Sequence, residues 1–566
     1  MSLLGQWKAY PAFMDRLLSL VGIEVHWAIL QYVLGLSFLS FVAYLVYLKT
    51  KEEKWRKLSW TLFKGFVIVF AVGAATGTAS EFGLVLLWPN LTEAAGRFVY
   101  FPLYAEVFAF LMEVVFIYMI YYGWKKFSPK VLAVLLLLGF IGPWYSAAMI
   151  VSVNSYMVAP TGVVPAYKLD GNNGVYLYDQ GYPKITLVVP NDLVKALNVT
   201  ALQKAGVEVK GKSEYGVIVE MPARMVQRLA YESWNGYTVK DSILAYVANK
   251  SYVQQHPEIL NLPVKAIVFQ VLDATIKYVG VMSVTFKSPV YAASILHVLG
   301  AALTVSSFTV MAAYGLRLLR RDEYDDEYLE YVRAGFKFGA IAALVFIAIQ
   351  GFVFGHLMGR AVAEYNPEKF AAMEGTSSQI FQVTKLLPGG EKLVAFLAYD
   401  NPHAQIPVYD KIPRNYCYCQ LTSAQDANRI ADCRPPLVIH YLYYTKITLG
   451  ILLGLYAALI GYFLVIKKKR PDELPKFVLH PALLLLAVIL VQLVSFLGWA
   501  TREIGRKPFT IYGVMTVDVA HTANPASAGV VSLVALFFIV VLAALAYAVW
   551  KILWVPGKPR VEVGAA

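Results

Sequence analysis

The sequence predicts an all-α polytopic membrane protein with about nine transmembrane helices and a small α/β insert on one side. Three observations predict it. Hydrophobic residues make up 58% of the 566 residues and charged residues only 15%, against roughly 45–50% and 25% in a soluble domain. Nine apolar runs reach the ~20 residues needed to cross a bilayer. Positive charge gathers in every second connection between those runs. The composition excludes disorder, collagen and coiled coil, and three Cys in so long a chain exclude a disulfide-stapled miniature fold.

The runs fall at about 21–48, 60–88, 100–123, 130–158, 290–316, 334–358, 436–466, 477–500 and 528–554. Lipid leaves backbone polar groups no outside partner, so each is read as a helix. The first 20 residues lack a charged segment, short apolar core and small-residue cleavage site, so the first run is expected to be a span rather than a signal peptide. Lys49, Lys51, Lys54, Arg56 and Lys57 follow run one, and Lys125, Lys126 and Lys130 follow run three. Arg317, Arg320 and Arg321 follow run five, Lys467 to Arg470 run seven, and Lys551, Lys558 and Arg560 run nine. The positive-inside rule places these in the cytoplasm, the N-terminus outside and the C-terminus inside, in a multi-pass protein of the cell membrane. The net charge of +13 then reflects topology, and no nucleic-acid partner is expected.

The chain divides into residues 1–160 with helices 1–4, an extracytoplasmic insert at 161–286, helices 5–6 at 287–358, a second outer loop at 359–435, and helices 7–9 with a cytoplasmic tail at 436–566. The insert alternates β-rich runs near 175–178 and 185–189 with helix-like runs from Asp192 to Ala205 and Pro222 to Glu232. Its amphipathic end, about 263–286, is expected on the membrane surface. Cys417, Cys419 and Cys433 all lie in the second outer loop, where one disulfide from Cys433 to either of the others is expected.

Charged groups inside a bilayer cost several kcal/mol and need a function or a partner. Glu24 and His26 lie in the first run, Glu81 in the second, Glu106 and Glu113 in the third, His297 in the fifth, and His440 and Lys446 in the seventh. The eighth ends in Arg502, Glu503, Arg506 and Lys507. Imidazoles on separate spans suit haem iron, and intramembrane acids suit proton relays. The chemistry alone fits a haem-bearing redox enzyme or a haem-free proton-coupled transporter. A transporter would typically carry inverted repeats, and the sequence has no such symmetry.

The residues also stand in ordered strings. The first span reads from Arg16 to Gly22-Ile-Glu-Val-His26-Trp. The second and third read Gly73-Ala-Ala-Thr-Gly77, Glu81, Trp88-Pro-Asn, and Glu106 to Glu113. Asn154-Ser-Tyr-Met157 closes the fourth, and Ser288-Pro289 precedes His297. The outer loop reads Asn366-Pro-Glu-Lys369-Phe-Ala-Ala-Met-Glu374-Gly, and the eighth span ends Gly498-Trp499, then Glu503-Ile-Gly-Arg506-Lys-Pro508. Together they resemble subunit I of the cytochrome bd-type quinol oxidases over all nine spans, apart from the insert. The resemblance implies oxidation of ubiquinol or menaquinol at the outer face and reduction of O2 to water with cytoplasmic protons. It implies a low-spin haem b, a high-spin haem b and a haem d or substitute haem. A homologous membrane subunit II is implied as partner, with a small single-span subunit as a further candidate. His26 and Glu503 match ligands of the two high-spin haems, without assignment between them, and His297 matches a low-spin ligand. Lys369 and Glu374 match the family's quinol-loop pair. Glu113 matches an acid of the family's third span near the high-spin haems and their proton supply; Glu106 is its candidate companion, either displaced by a one-residue deletion or not the family's counterpart. Trp499, Arg506 and Arg16 belong to the matching strings.

Two departures stand out. Lys446 occupies the place of the family's Met ligand to the low-spin haem, and the span from Pro435 to Ile466 has no Met. A neutral Lys amine can ligate iron; a Lys that snorkels away would leave the haem five-coordinate. His440, about 240° round the helix from Lys446, is a poor substitute. Glu106 and Glu113 are one residue closer together than the family's pair. A paralogue with altered haem content or a donor other than quinol is the alternative reading.

Overall fold

The computed structural model describes residues 13–165, 167–170, 173–176, 183–386, 388–414, 416, 432–520 and 528–554. Four long helices come first: α1 (Phe13–Thr50), α2 (Glu53–Leu87), α3 (Pro89–Gly123) and α4 (Pro129–Val158). The insert follows, with β1 (Val163–Val164), β2 (Tyr167–Asp170), β3 (Asn173–Tyr176), β4 (Lys184–Val189), β5 (Glu208–Ser213) and β6 (Gly216–Pro222). It ends in α5 (Ala223–Trp234) and α6 (Val264–Val279). Then come α7 (Tyr291–Leu318) and α8, which runs from Asp326 to Tyr365 with one π turn at Gln350–Phe354. The second loop holds α9 (Pro367–Glu374) and α10 (Gly390–Tyr399). The last part has α11 (Val438–Gly461), α12 (Pro481–Ile504), a hairpin of β7 (Phe509–Ile511) and β8 (Met515–Thr516), and α13 (Ala528–Trp554). Eight helices among the described residues are long and apolar enough to cross a membrane. The ninth expected span, α13, is helical over 27 residues.

The bundle is organised around α7, the most enclosed of the spans. Its sequence mixes Gly, Ala, Ser and Thr with larger apolar residues, which lets neighbouring backbones come close. A Cβ on Gly35 of α1 would lie 2.1 Å from Ser306 Oγ, and one on Gly339 of α8 would lie 2.5 Å from the Met311 backbone nitrogen. Gly315 meets Leu484 of α12 in the same way. By contrast α3 turns Tyr104, Val107, Phe108 and Leu111 outward, as a lipid-facing or partner-facing helix does.

The insert is a four-stranded antiparallel sheet in the order β1-β4-β6-β5, with β2 and β3 as a separate ribbon. Helix α6 corrects one expectation. It is amphipathic, but its apolar side covers the sheet: Thr275 Oγ1 accepts from Val188 N at 2.9 Å, and Val271 joins the insert's core. The competing surface was the sheet's own apolar face, which must be covered by something. Asn198 and Asn249, both in Asn-x-Ser/Thr sequences, cap short helices through their side chains.

Gly339→Leu is expected to destabilise the bundle by about 1–3 kcal/mol through overpacking against backbone. A thermal-unfolding scan in detergent should show a lowered midpoint, whereas Gly351→Ala, at a position open to 4 Å, should leave it nearly unchanged.

Candidate functional site

Helix α9 starts one residue after α8 ends. Pro367 opens it, suiting a first-turn position that needs no N–H. Gly375 closes it in the left-handed conformation, φ 65°. A side chain there would strike the His440 ring at 2.5 Å. His440 Nδ1 donates to Met373 O at 2.8 Å and Nε2 accepts from Val383 N at 3.4 Å. The carbonyl can only accept and the amide can only donate, so His440 is neutral and both its nitrogens are committed.

All eight residues of α9 are buried, and three are ionisable. At 100° per residue Glu368, Lys369 and Glu374 face three different walls. Lys369 lies along Gly505, beyond the end of α12, and its Nζ reaches Arg502 O at 3.5 Å. Burial, then the Arg502 charge, push its amine down to about 7 against the pull of Glu503. Glu374 Oε2 accepts from the Tyr444 hydroxyl at 2.6 Å, and burial lifts its carboxyl to about 7. Glu368 accepts from Tyr512 of the β7–β8 turn, its Oε1 has no partner among the described residues, and burial lifts it to about 7 as well. Burial penalises the charged form of each, so acids rise and the amine falls.

A second cluster joins α4, α7 and α12. Glu503 Oε1 accepts from Asn154 Nδ2 at 3.0 Å, and its other oxygen pairs with Arg506. Arg502 Nε donates to Asn154 Oδ1 at 2.5 Å and Nη1 to Ser294 Oγ at 3.1 Å. Arg506 Nε and Nη1 and Trp499 Nε1 are buried without partners among the described residues. Trp499 stacks on Trp27 at 5.6 Å, beside His26.

His26 Nδ1 is 3.0 Å from Thr76 Oγ1. The Thr76 hydroxyl lies 3.0 Å from Gly73 O and spends its only hydrogen on its own helix's carbonyls. It therefore accepts from His26 Nδ1–H, which leaves Nε2 with a lone pair. The ring lies over Gly77, where a Cβ would come within 2.9 Å of it. His297 faces the π turn of α8: Gln350 Nε2 is 3.2 Å from its Nδ1 and donates to its carbonyl oxygen at 3.1 Å. Lys446 turns toward α12, its Cδ 3.4 Å from a Cβ on Gly498 and its Nζ 4.9 Å over the Tyr443 ring. It is within electrostatic range of both His297 and Lys369. Glu106 and Glu113 share one side of α3: Ser146 donates to Glu106 at 3.2 Å, and Glu113 lies against Gly142 of the same facing helix, α4. Glu106 also shares a hydrogen bond with Glu81 of α2.

The side chain of Arg16 and both Cys417 and Cys419 lie outside the described residues. Cys433 is disulfide-bonded. Sequence reasoning passed over Glu368, Tyr444, Tyr512 and Gln350. The available signal for Glu368 was its place beside Lys369 in a Pro-to-Gly segment that is otherwise apolar.

Among the described residues no three metal-ligating side chains cluster. His26, His297 and Glu503 stand apart on separate contacts, an arrangement that suits iron already held by a porphyrin and needing only one or two further ligands. The buried donors of Arg506 and Trp499 that lack acceptors fit an anionic cofactor edge.

The chain was compared with known proteins. The sequence model of the family described as cytochrome bd terminal oxidase subunit I matches residues 14–196 and 254–556. A putative cytochrome bd menaquinol oxidase subunit I of Bacillus subtilis (strain 168) is 30% identical over 128 residues, 23% of this chain and 29% of that protein. The cytochrome bd ubiquinol oxidase subunit 1 of the same organism is 32% identical over 138 residues, 24% of this chain and 30% of that one. The cytochrome bd-II ubiquinol oxidase subunit 1 of Escherichia coli (strain K12) is 30% identical over 138 residues, covering 24% and 27%. The aligned stretches thus span less than a third of these relatives. The bd oxidase structure from Geobacillus thermodenitrificans shares the fold, with TM-score 0.62 and 21% identity over 96% of this chain and 97% of that one. The family match takes in α9 and all the long helices except the first residue of α1, leaving out residues 197–253 of the insert and the two ends of the sequence, and the chain belongs to the cytochrome bd terminal oxidase subunit I family.

Proposed function

We propose that the chain is the catalytic, haem-bearing subunit of a quinol:oxygen oxidoreductase. The observation that carries this reading is α9, a buried helix whose two carboxyls and one amine are all brought near neutrality. A quinol releases two protons with its two electrons, so its site needs acceptors that exchange protons at neutral pH. Glu374, oriented by Tyr444, takes one, and Glu368, oriented by Tyr512, offers a second. Lys369 supplies a hydrogen-bond donor to the quinol oxygen.

His26 and Glu503 would each hold a high-spin haem, a haem b and a haem d or its substitute. His297 and Lys446 would hold the low-spin haem b. Bound haem supplies electron transfer and oxygen reduction. Thr76 holds His26 in the tautomer that presents Nε2, and Asn154 and Arg506 fix the Glu503 carboxylate. Glu106 and Glu113 carry cytoplasmic protons through the apolar interior. The quinol side is the outer face, with the N-terminus outside, and charge separation follows from proton release outside and uptake inside, without pumping. A homologous second membrane subunit completes the enzyme, with a small single-span subunit as a further partner. A second reading, a paralogue with altered haem content, is favoured by Lys446 and by the Gln350 amide at His297.

Glu374→Gln should lower quinol kcat/KM by about 100-fold, the scale of a lost general base. In the native enzyme kcat/KM should rise with pH through about 7, because the accepting carboxylates must be ionised; that rise should be lost in Glu374→Gln if it is the limiting acceptor. A flat native profile would count against carboxylate acceptance. Lys446→Ala should change the reduced low-spin α-band in a dithionite-reduced minus oxidised spectrum. An unchanged low-spin band would remove Lys446 as a ligand. Pyridine haemochrome analysis of the native complex should give b-type haem plus a chlorin; b-type haem alone would favour the second reading.

A further inference from the structure

The insert contains a cavity of about 210 Å³ between its sheet, α5 and α6. An engineered apolar cavity of ~150 Å³ already stays dry and binds benzene. Leu187 and Val189 line it from β4, Met225 and Leu229 from α5, and Val271 and Leu272 from α6. The threonine hydroxyls in the lining are spent on backbone: Thr186 donates to Gly162 O at 3.0 Å, Thr275 to Val271 O at 2.7 Å, and Thr161 to Val284 O. Asp192 is exposed and paired with Lys195 at 3.3 Å. Trp234 Nε1 also lies in the lining, buried with no partner among the described residues, and the rest of the wall is largely apolar and suited to a hydrocarbon.

The domain has not sealed this space. Leu193, Leu229, Leu244 and Val271 pack against the insert's core yet remain half-buried. Apolar area left open forfeits about 25 cal/mol per Å², and an apolar occupant would recover it. The source of such an occupant is adjacent. Ala94 and Phe98 of α3 and Tyr156 of α4, near the ends of two membrane-spanning helices, also line the cavity. Helix α6 is tied to α3 there by Arg97–Asp273 and by Lys265–Glu93 at 2.7 Å. The β7–β8 hairpin forms part of the wall through Ile511, Val514 and Met515, while its Tyr512 holds Glu368. Gly513 at the turn (φ 70°) leaves a Cβ only 3.3 Å from Ala223 and Ile185, so the hairpin is seated directly on the insert.

We propose that this cavity binds one hydrocarbon chain of a membrane lipid, with the lipid's polar head remaining outside the mouth. The part of the lining from Leu197 to Ala248 lies in the insert segment that the family match leaves out, while the rest lies within the match, and the site stands apart from the oxidase reaction. Its chemistry is that of a tail-binding pocket entered from the bilayer edge.

The test is photolabelling of the purified complex with phosphatidylglycerol carrying a diazirine on its acyl chain, read residue by residue by mass spectrometry. Crosslinks are expected at Met221, Met225 and Leu229, and excess unlabelled phosphatidylglycerol should reduce them at least tenfold. Ala230→Phe, which fills the cavity, and Leu244→Trp, which narrows it, should do the same, each checked for folding by its thermal midpoint. The competition arm needs no substitution and so stands even where a variant misfolds. Absence of crosslinks at these residues, or crosslinks that neither competitor nor filling reduces, would overturn the proposal. A parallel probe with the diazirine on the isoprenoid tail of a quinone separates the sources: labelling by that probe alone would overturn the lipid assignment.

Discussion

The site depends on how α9 is ended. An eight-residue helix has little stability of its own and takes its place only through what holds it. His440 does this with both ring nitrogens, one on the last turn of α9 and one on the segment beyond, while Gly375 gives the ring room. Because α9 is fixed on a membrane helix, its ionisable side chains can be held away from water rather than swinging into it. Their shifted proton affinities follow from that enclosure, since burial is the largest cause for all three; a tyrosine hydrogen bond opposes it at Glu368 and Glu374, and neighbouring charges act at Lys369. His440, whose spacing from Lys446 makes it a poor substitute ligand, is thus the clamp that holds α9.

Much of the fold was legible because lipid is a strict solvent. Eight apolar runs became continuous spans and the ninth became α13, since no other element hides its backbone polar groups. The insert's mixed character was legible from its alternation, but its sheet order was not, because pairing is set by contacts far apart in sequence. Helix α6 was misplaced for a related reason. Its hydrophobic face identifies an amphipathic helix, yet periodicity says nothing about whether lipid or a sheet will cover that face.

The site was legible in parts. Residues that stand out against their surroundings, such as His26, Lys446 and Glu503, are visible in any apolar run. Glu368 was not, because it sits in a loop segment where charge is unremarkable; only its complete burial gives it meaning. The roles of Tyr444, Tyr512 and Gln350 depend on which partners the fold brings to them. The π turn of α8 is the clearest case: it is a backbone irregularity with no sequence marker, and it carries the amide that meets His297.

The hydrogen bond between Glu81 and Glu106 has an electrical consequence. Two carboxyl groups can share such a bond only with a proton between them. When the pair holds one proton, its net charge is the same whichever oxygen holds that proton. Movement of that proton from α2 to α3 leaves the net charge of the pair unchanged, so the hop avoids the charging cost that an isolated carboxyl in an apolar medium would meet twice, once on losing its proton and once on regaining it. For the proton route proposed through Glu106 and Glu113, a transfer within this pair is therefore a step without net charge separation.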